Sequence, residues 1–301
     1  MPGRSIVFSS THISTKANRE LEPILTGQPP HSDLGESAAP IAGTSGPIAP
    51  AWHTVVLIIG IALLSVEGAR EFSGSNANAI ESNKLLTYAT TVGSELLMLG
   101  WVYLGMRLRK IPFRSLFGDL SGGIKSLFLD IGIAITFWMG SLVVFGCIGL
   151  AWTATELALK HQSLIAADGK PVAVSDPAQQ RLLHTLSALA PSNGREIAAW
   201  ALVCAMAGLI EELVFRGYFQ RQFVAWSRGA IAGGVAFSAL LFGAAHGYQG
   251  IRNMVLLSVF GTLFSLLAVF RRNLRAGIFA HAWHDFAVGL LLAFVKSRHL
   301  F

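Results

Sequence analysis

Charged residues are what this chain has least of. Only 13% of its 301 residues are Asp, Glu, Lys or Arg, while 52% are hydrophobic and the mean hydropathy is +0.54; soluble domains carry about 25% charged residues. That balance excludes an ordinary soluble enzyme and points to an integral membrane protein with several spans. Cysteine is also scarce. Cys147 and Cys204 both lie inside apolar runs, which excludes a disulfide framework and a Cys-based zinc site and leaves two small core hydrophobes. The formal charge of +6 is low for this length and sits in short loops, the pattern of topology signals rather than nucleic-acid binding, so no nucleic-acid partner is expected. No apolar h-region stands near the N-terminus, so no cleavable signal peptide is expected.

What is present is a series of apolar segments. Residues 1–50, rich in Ser, Thr, Gly and Pro, read as a flexible polar tail. Spans are expected at about 51–67, 85–106, 127–152, from about 195 into Glu211–Glu212, 229–246, 253–270 and 276–295. The fold class is all-α: a polytopic membrane bundle of about seven helices. An eighth is possible within 176–194 or along the interface. Residues 51–195 group as N-terminal helices with a polar connector, and 196–295 as the catalytic transmembrane part. Basic residues gather at 107–126, 216–228 and 271–275. Alternating spans put all three clusters, and the N-terminus, on the cytoplasmic side. Glu95, a lone acid in the second span, is expected to face the bundle interior.

The stretch Leu209–Phe223 carries the strongest chemical signal. Glu211 and Glu212 follow directly on an apolar run, where insertion scales put each charge at roughly 2.5–3.5 kcal/mol. Glu212 and Arg216 are four residues apart on one helical face and can pair. Glu211 points about 100° away with no local cation, as a general base would. A charged cluster snorkelling to the membrane interface is the plain alternative. Two further polar clusters interrupt apolar spans: Phe242 with His246, and His281 with His284 and Asp285. Any one intramembrane His reads as a satisfied core histidine. Three helices each bringing a Glu, a His, or a His with an Asp read as a buried hydrolytic site.

Glu211-Glu212-x-x-x-Arg216, Phe242-x-x-x-His246 and His281-x-x-x-Asp285, in that order on successive spans, resemble the CPBP family of intramembrane proteases. That family includes CAAX prenyl endopeptidases of the Rce type and bacterial bacteriocin-processing or immunity proteins. The resemblance covers about 196–290. It implies that Glu211 activates the attacking water, that His246 positions it, and that His281 joins the site. Asp285 would then stabilise the oxyanion or complete a metal shell, and Glu212 with Arg216 would support the site as an ion pair. It also implies a membrane-embedded or lipid-tethered protein substrate and a multi-pass location, the bacterial inner membrane. Asp285 stands where many members have Asn. An ionised Asp cannot donate to an oxyanion, so it is a metal ligand, a partner fixing the His281 tautomer, or protonated. Zinc held by His246, His281 and Asp285 is the expected cofactor on the first alternative, and a metal-free glutamate mechanism is the other. His284 falls outside the family pattern.

Two rival functions remain on this reading. A proton-coupled transporter would also bury Glu, His and Arg, but no internal repeat relates 51–160 to 196–295. A non-catalytic membrane chaperone or immunity protein would keep the fold and dispense with Glu211. One geometric difficulty attends the protease reading. With simple antiparallel spans, Glu211 and His246 would lie near opposite faces. They meet only if the fourth helix continues past Arg216, or if 217–229 dips into the membrane.

Overall fold

Six helices of the computed structural model are long and apolar enough to cross a membrane. The structure describes residues 46–73, 77–160 and 177–298; the expected tail up to residue 45 and much of the polar connector lie outside the described residues. In chain order the helices are α1 Ala51–Ser73, α2 Ala77–Ser82, α3 Lys84–Leu108, α4 Gly123–Leu159, α5 Pro177–Leu189, α6 Gly194–Trp226, α7 Ile231–Ala245, α8 Ile251–Arg271 and α9 Arg275–Ser297. The six long apolar helices are α1, α3, α4, α6, α8 and α9. Helix α7 occupies the expected fifth span with only 15 residues, about 22 Å at 1.5 Å per residue, short of a ~30 Å hydrocarbon core. Helix α5 is the expected additional helix. Large apolar side chains such as Leu63, Phe128, Leu150 and Phe270 point outward, as they do when lipid is the solvent.

The three basic segments meet at one end of the bundle. Gly118 bridges to Asn273, Asp119 N–H donates to the Arg272 carbonyl at 2.8 Å, and Arg221 donates to the Ser115 carbonyl at 2.9 Å. Arg271 and Arg275 reach Asp130 of α4, wholly buried, at 2.6 and 2.7 Å. Part of the basic cluster therefore anchors α4 to the α8–α9 turn. The opposite end is closed by Lys84 on Glu196 (3.1 Å) and Lys296 on Glu81 (2.5 Å). The Lys296 ammonium, hydrogen-bonded to Glu81, holds that carboxyl below its usual range.

Helix α6 is the shaft around which the others pack. Its sequence becomes polar after Glu211, which makes 211–212 look like a helix end. It continues to Trp226 because the polar side chains find partners indoors. Gln222 accepts from the Ile48 and Ala49 N–H groups (2.9 and 3.2 Å) and donates to the Ala49 carbonyl (3.0 Å), so these last residues of the expected tail are buried against it. Gln220 donates to the Ser265 carbonyl at 3.3 Å. Tyr218 OH meets His53 Nδ1 (3.1 Å) and Thr54 Oγ1 (2.9 Å), tying α1 to the shaft. The middle of the shaft, Glu212–Phe219, is a π-helix. Such wide turns free backbone groups and cluster at functional sites. Here the Phe215 carbonyl also accepts from Ser238 Oγ of α7 at 2.6 Å.

At the centre of that π turn Arg216 pairs with Glu212 at 2.9 Å, and neither residue is exposed. The guanidinium carbon lies 4.4 Å from the centroid of the Phe242 ring and 5.2 Å from that of Phe264, a cation held between two ring faces. Helix α9 closes the other side. A Cβ at Gly208 would come within 2.7 Å of the Ala282 backbone nitrogen, and one at Gly277 within 3.1 Å of Glu212 Oε2. Small residues are what let membrane helices approach this closely.

Two outcomes follow for the folded protein. Arg216→Ala strands the Glu212 charge, a loss of about 3–5 kcal/mol. It should lower detergent-extracted monodisperse yield sharply, and the double change Glu212→Gln with Arg216→Met should recover it; normal yield for Arg216→Ala contradicts the pair's structural role. Gly208→Val should also lower yield, with no matching effect from Gly60→Val, whose Cβ meets nothing.

Candidate active site

The difficulty over depth disappears once the helix lengths are known. Glu211 stands about fifteen residues before the end of α6, and His246 about fifteen after the start of α7, so each is roughly 20 Å from the turn joining them. His246 caps the C-terminus of the short α7. Of the two ways the site was expected to close, the structure takes the first: the fourth helix continues past Arg216.

His281 of α9 is the hub. Its Nδ1 lies 3.0 Å from Glu212 Oε1. A carboxylate oxygen with no proton only accepts, so Nδ1 carries the hydrogen and Nε2 faces away from Glu212. Nε2 is 3.7 Å from Glu211 Oε2 and 3.7 Å from Asp285 Oδ2. Fixing the tautomer thus falls to Glu212, not to Asp285. The adjacent glutamates are separated by the helix turn: the Glu212 side chain is 1% exposed and locked, that of Glu211 18% exposed and open to a cavity. Nε2 and two carboxylates facing one another would all be acceptors. At least one proton must be held among them.

Phe242 and His246 form the next layer. His246 Nδ1 lies 2.9 Å from the Phe242 carbonyl, which can only accept, so Nδ1 donates and Nε2 is left as an acceptor. The His246 ring sits 4.8 Å from the Phe242 ring, and that ring covers Arg216. Phe242 thereby touches both the His246 ring and the guanidinium of the ion pair. His284 packs against Phe260 (5.2 Å) and Phe145 (6.3 Å), among rings rather than on the motif residues.

A cavity of about 740 Å³ joins Glu211, His246, His281 and Asp285. It runs from mid-bundle toward the end closed by α2 and α5, whose Ile80 and Leu189 line it. Glu95 of α3 lines it too. The sequence placed that acid in the interior but gave no sign that it shares the cavity. Helical periodicity within α3 orients Glu95, whereas its neighbours come from segments more than a hundred residues away.

The expected zinc would need His246, His281 and Asp285 to stand together around one point. Among the described residues no group of three or more His, Cys, Asp or Glu side chains is placed to hold a metal ion. His281 has one nitrogen engaged by Glu212, and His246 one engaged by a carbonyl. Each ring keeps its Nε2 free, as a metal-ligating histidine does, so the zinc expectation rests with metal analysis.

Residues 193–287 match the family model described as type II CAAX prenyl endopeptidase Rce1-like. No curated protein and no solved structure matches the chain significantly. The matched region holds Glu211, Glu212, Arg216, Phe242, His246, His281 and Asp285, the residues that meet around the buried ion pair and the cavity. Residues 193–287, about a third of the chain, are therefore similar to the Rce1-like type II CAAX prenyl endopeptidases, which supports a CPBP-type intramembrane protease.

Proposed function

We propose that the chain is an intramembrane endopeptidase that hydrolyses a peptide bond in a membrane-embedded or membrane-tethered protein. The observation that carries this reading is the division of labour between adjacent glutamates. Glu212 is locked by Arg216 and His281, and Glu211 is left open to the cavity beside His281 Nε2.

The chemistry follows from the residues present. Glu211 removes a proton from a water in the cavity, and His246 Nε2 accepts that water's other hydrogen and aims its oxygen. The oxygen attacks the carbonyl carbon of the scissile bond. His281, held by Glu212 through Nδ1, presents a protonated Nε2 to the oxyanion, with Asp285 balancing its charge. Collapse breaks the C–N bond, and the leaving amine takes the proton stored on Glu211. An acid, a base and a donor within one enclosure are the parts this reaction needs.

The positive-inside rule applied to the arginine-rich end places that end, and the start of α1, in the cytoplasm. The cavity then extends toward the other side of the membrane. A bacterial inner membrane fits this reading, with a lipidated or bacteriocin-like protein as substrate. A non-catalytic immunity protein or chaperone and a proton-coupled carrier are the readings to be excluded by experiment.

Glu211→Gln conserves volume and removes the base. It should reduce cleavage at least about a thousandfold while leaving extraction yield and elution profile intact. Equal activity of the two proteins would remove the protease reading. The zinc alternative has its own test: metal analysis of active wild-type protein beside His246→Ala. About one zinc per chain, lost in the mutant, would replace the metal-free route given above.

A further inference from the structure

The cavity holds one acid more than hydrolysis requires. Three carboxylates line it, Glu95 from α3, Glu211 from α6 and Asp285 from α9, and among the described residues no Lys or Arg does. The nearby cations are committed elsewhere. Lys84 is held by Ser192 (2.7 Å) and Glu196 (3.1 Å), Lys296 by Glu81, and Arg216 is sealed onto Glu212. His281 faces Glu211 and Asp285. Glu95 is the carboxylate left over: it is 8% exposed, and its buried Oε2 has no hydrogen-bond partner. A bare carboxylate at this depth is expensive to keep, and neither the ion pair nor the water chemistry employs it. It also lies outside the family-matched region.

The wall leading to Glu95 has the same character. Thr87, Thr91 and Glu95 fall four residues apart on α3 and line the cavity together. The Thr91 hydroxyl donates to the Thr87 carbonyl at 2.9 Å, and Thr87 to the Asn83 carbonyl at 3.4 Å. With their hydrogens spent inside the helix, both oxygens face a ligand as acceptors. This wall suits donors, and above all a cation.

A C-a-a-X substrate carries the opposite charge. Its terminal carboxylate follows three residues after the Cys, at most about 10 Å beyond a bond cut there. In this cavity that carboxylate would meet three acids, and the one imidazolium beside them, His281, is already shared by Glu211 and Asp285. We propose instead that the cavity takes an internal segment bearing a Lys or Arg side chain within about two residues of the scissile bond, and that Glu95 holds that side chain. Glu95 is then a specificity-determining residue. The proposal rests on the endopeptidase reading for the position of the cut, and on the cavity alone for the charge preference.

The test uses full-length protein in detergent and a membrane-tethered, fluorescently labelled peptide with a short polyalanine window carrying a single Lys, Leu or Glu. Binding is read by anisotropy on Glu211→Gln, which keeps Glu95 and needs no turnover. Cleavage is read on wild type, with the cut mapped by mass spectrometry. The Lys peptide should bind at least about tenfold more tightly than the Leu peptide, the Glu peptide should bind worst, and cuts should fall within about two residues of the Lys. Adding Glu95→Gln should bring the Lys-to-Leu ratio near one, and Glu95→Lys should turn the preference toward Glu. A merely structural Glu95 would weaken all three peptides alike and leave the ratio standing, which would overturn the assignment. So would a wild-type preference for Leu or Glu, a result that decides the matter even where Glu95→Gln fails to fold. A Lys preference with no cleavage of any peptide would uphold the cavity's charge selection and overturn the endopeptidase reading. Cleavage indifferent to charge would do the reverse.

Discussion

The interaction on which the rest of the structure depends is the ion pair between Glu212 and Arg216, shut away from solvent between the rings of Phe242 and Phe264. A buried pair is not in itself a source of stability, because desolvation offsets much of the attraction. Its value here is positional. The carboxylate of Glu212 has to face Arg216 and His281 at once, and the π turn accommodates both directions. That fixes the rotation of α6, and with it which of two adjacent glutamates meets the cavity. Helix α9 is held at the matching distance because Gly208 and Gly277 leave no side chain in the way.

From that platform the site is built in layers. The ion pair lies at the base, the Phe242 ring above it, and His246 and His281 above or beside the ring. Each layer depends on the one below for orientation rather than for chemistry. The three short motifs in the sequence record this stacking. Phe242 belongs to a motif although it carries no reactive group, because it touches both the arginine and the histidine. The fourth wall comes from α3, and through Glu95 it gives the cavity an acid beyond those of the motifs.

Much of this could be read in the sequence, and what could not has physical causes. Apolar runs located six long helices and the short α7, and i,i+4 spacing found the Glu212–Arg216 pair because it is local. The length of α6 was hidden by Arg216, Gln220, Arg221 and Gln222. These look like a membrane exit but are buried on partners as distant as Ile48 and Ser265. Arg271 and Arg275 read as topology signals. Their pairing with Asp130, across more than a hundred residues, has no local signature. Nor does the grip of Glu212 on His281, so the sequence left fixing the His281 tautomer open to Asp285. Single-residue periodicity reports the face of a helix, not what stands opposite.

The central claim is that Glu211 and Glu212, side by side in the chain, have separate duties: one is kept open for chemistry and the other is spent on the fold. Thermal unfolding of Glu211→Gln and Glu212→Gln, measured side by side in the same detergent, tests this most directly. Glu212→Gln should melt well below wild type, because it breaks a buried pair and leaves Arg216 without its counter-ion. Glu211→Gln should melt at or above wild type, because it removes a charge that the folded state gains little from. The reverse order, or equal losses for both, would contradict the account.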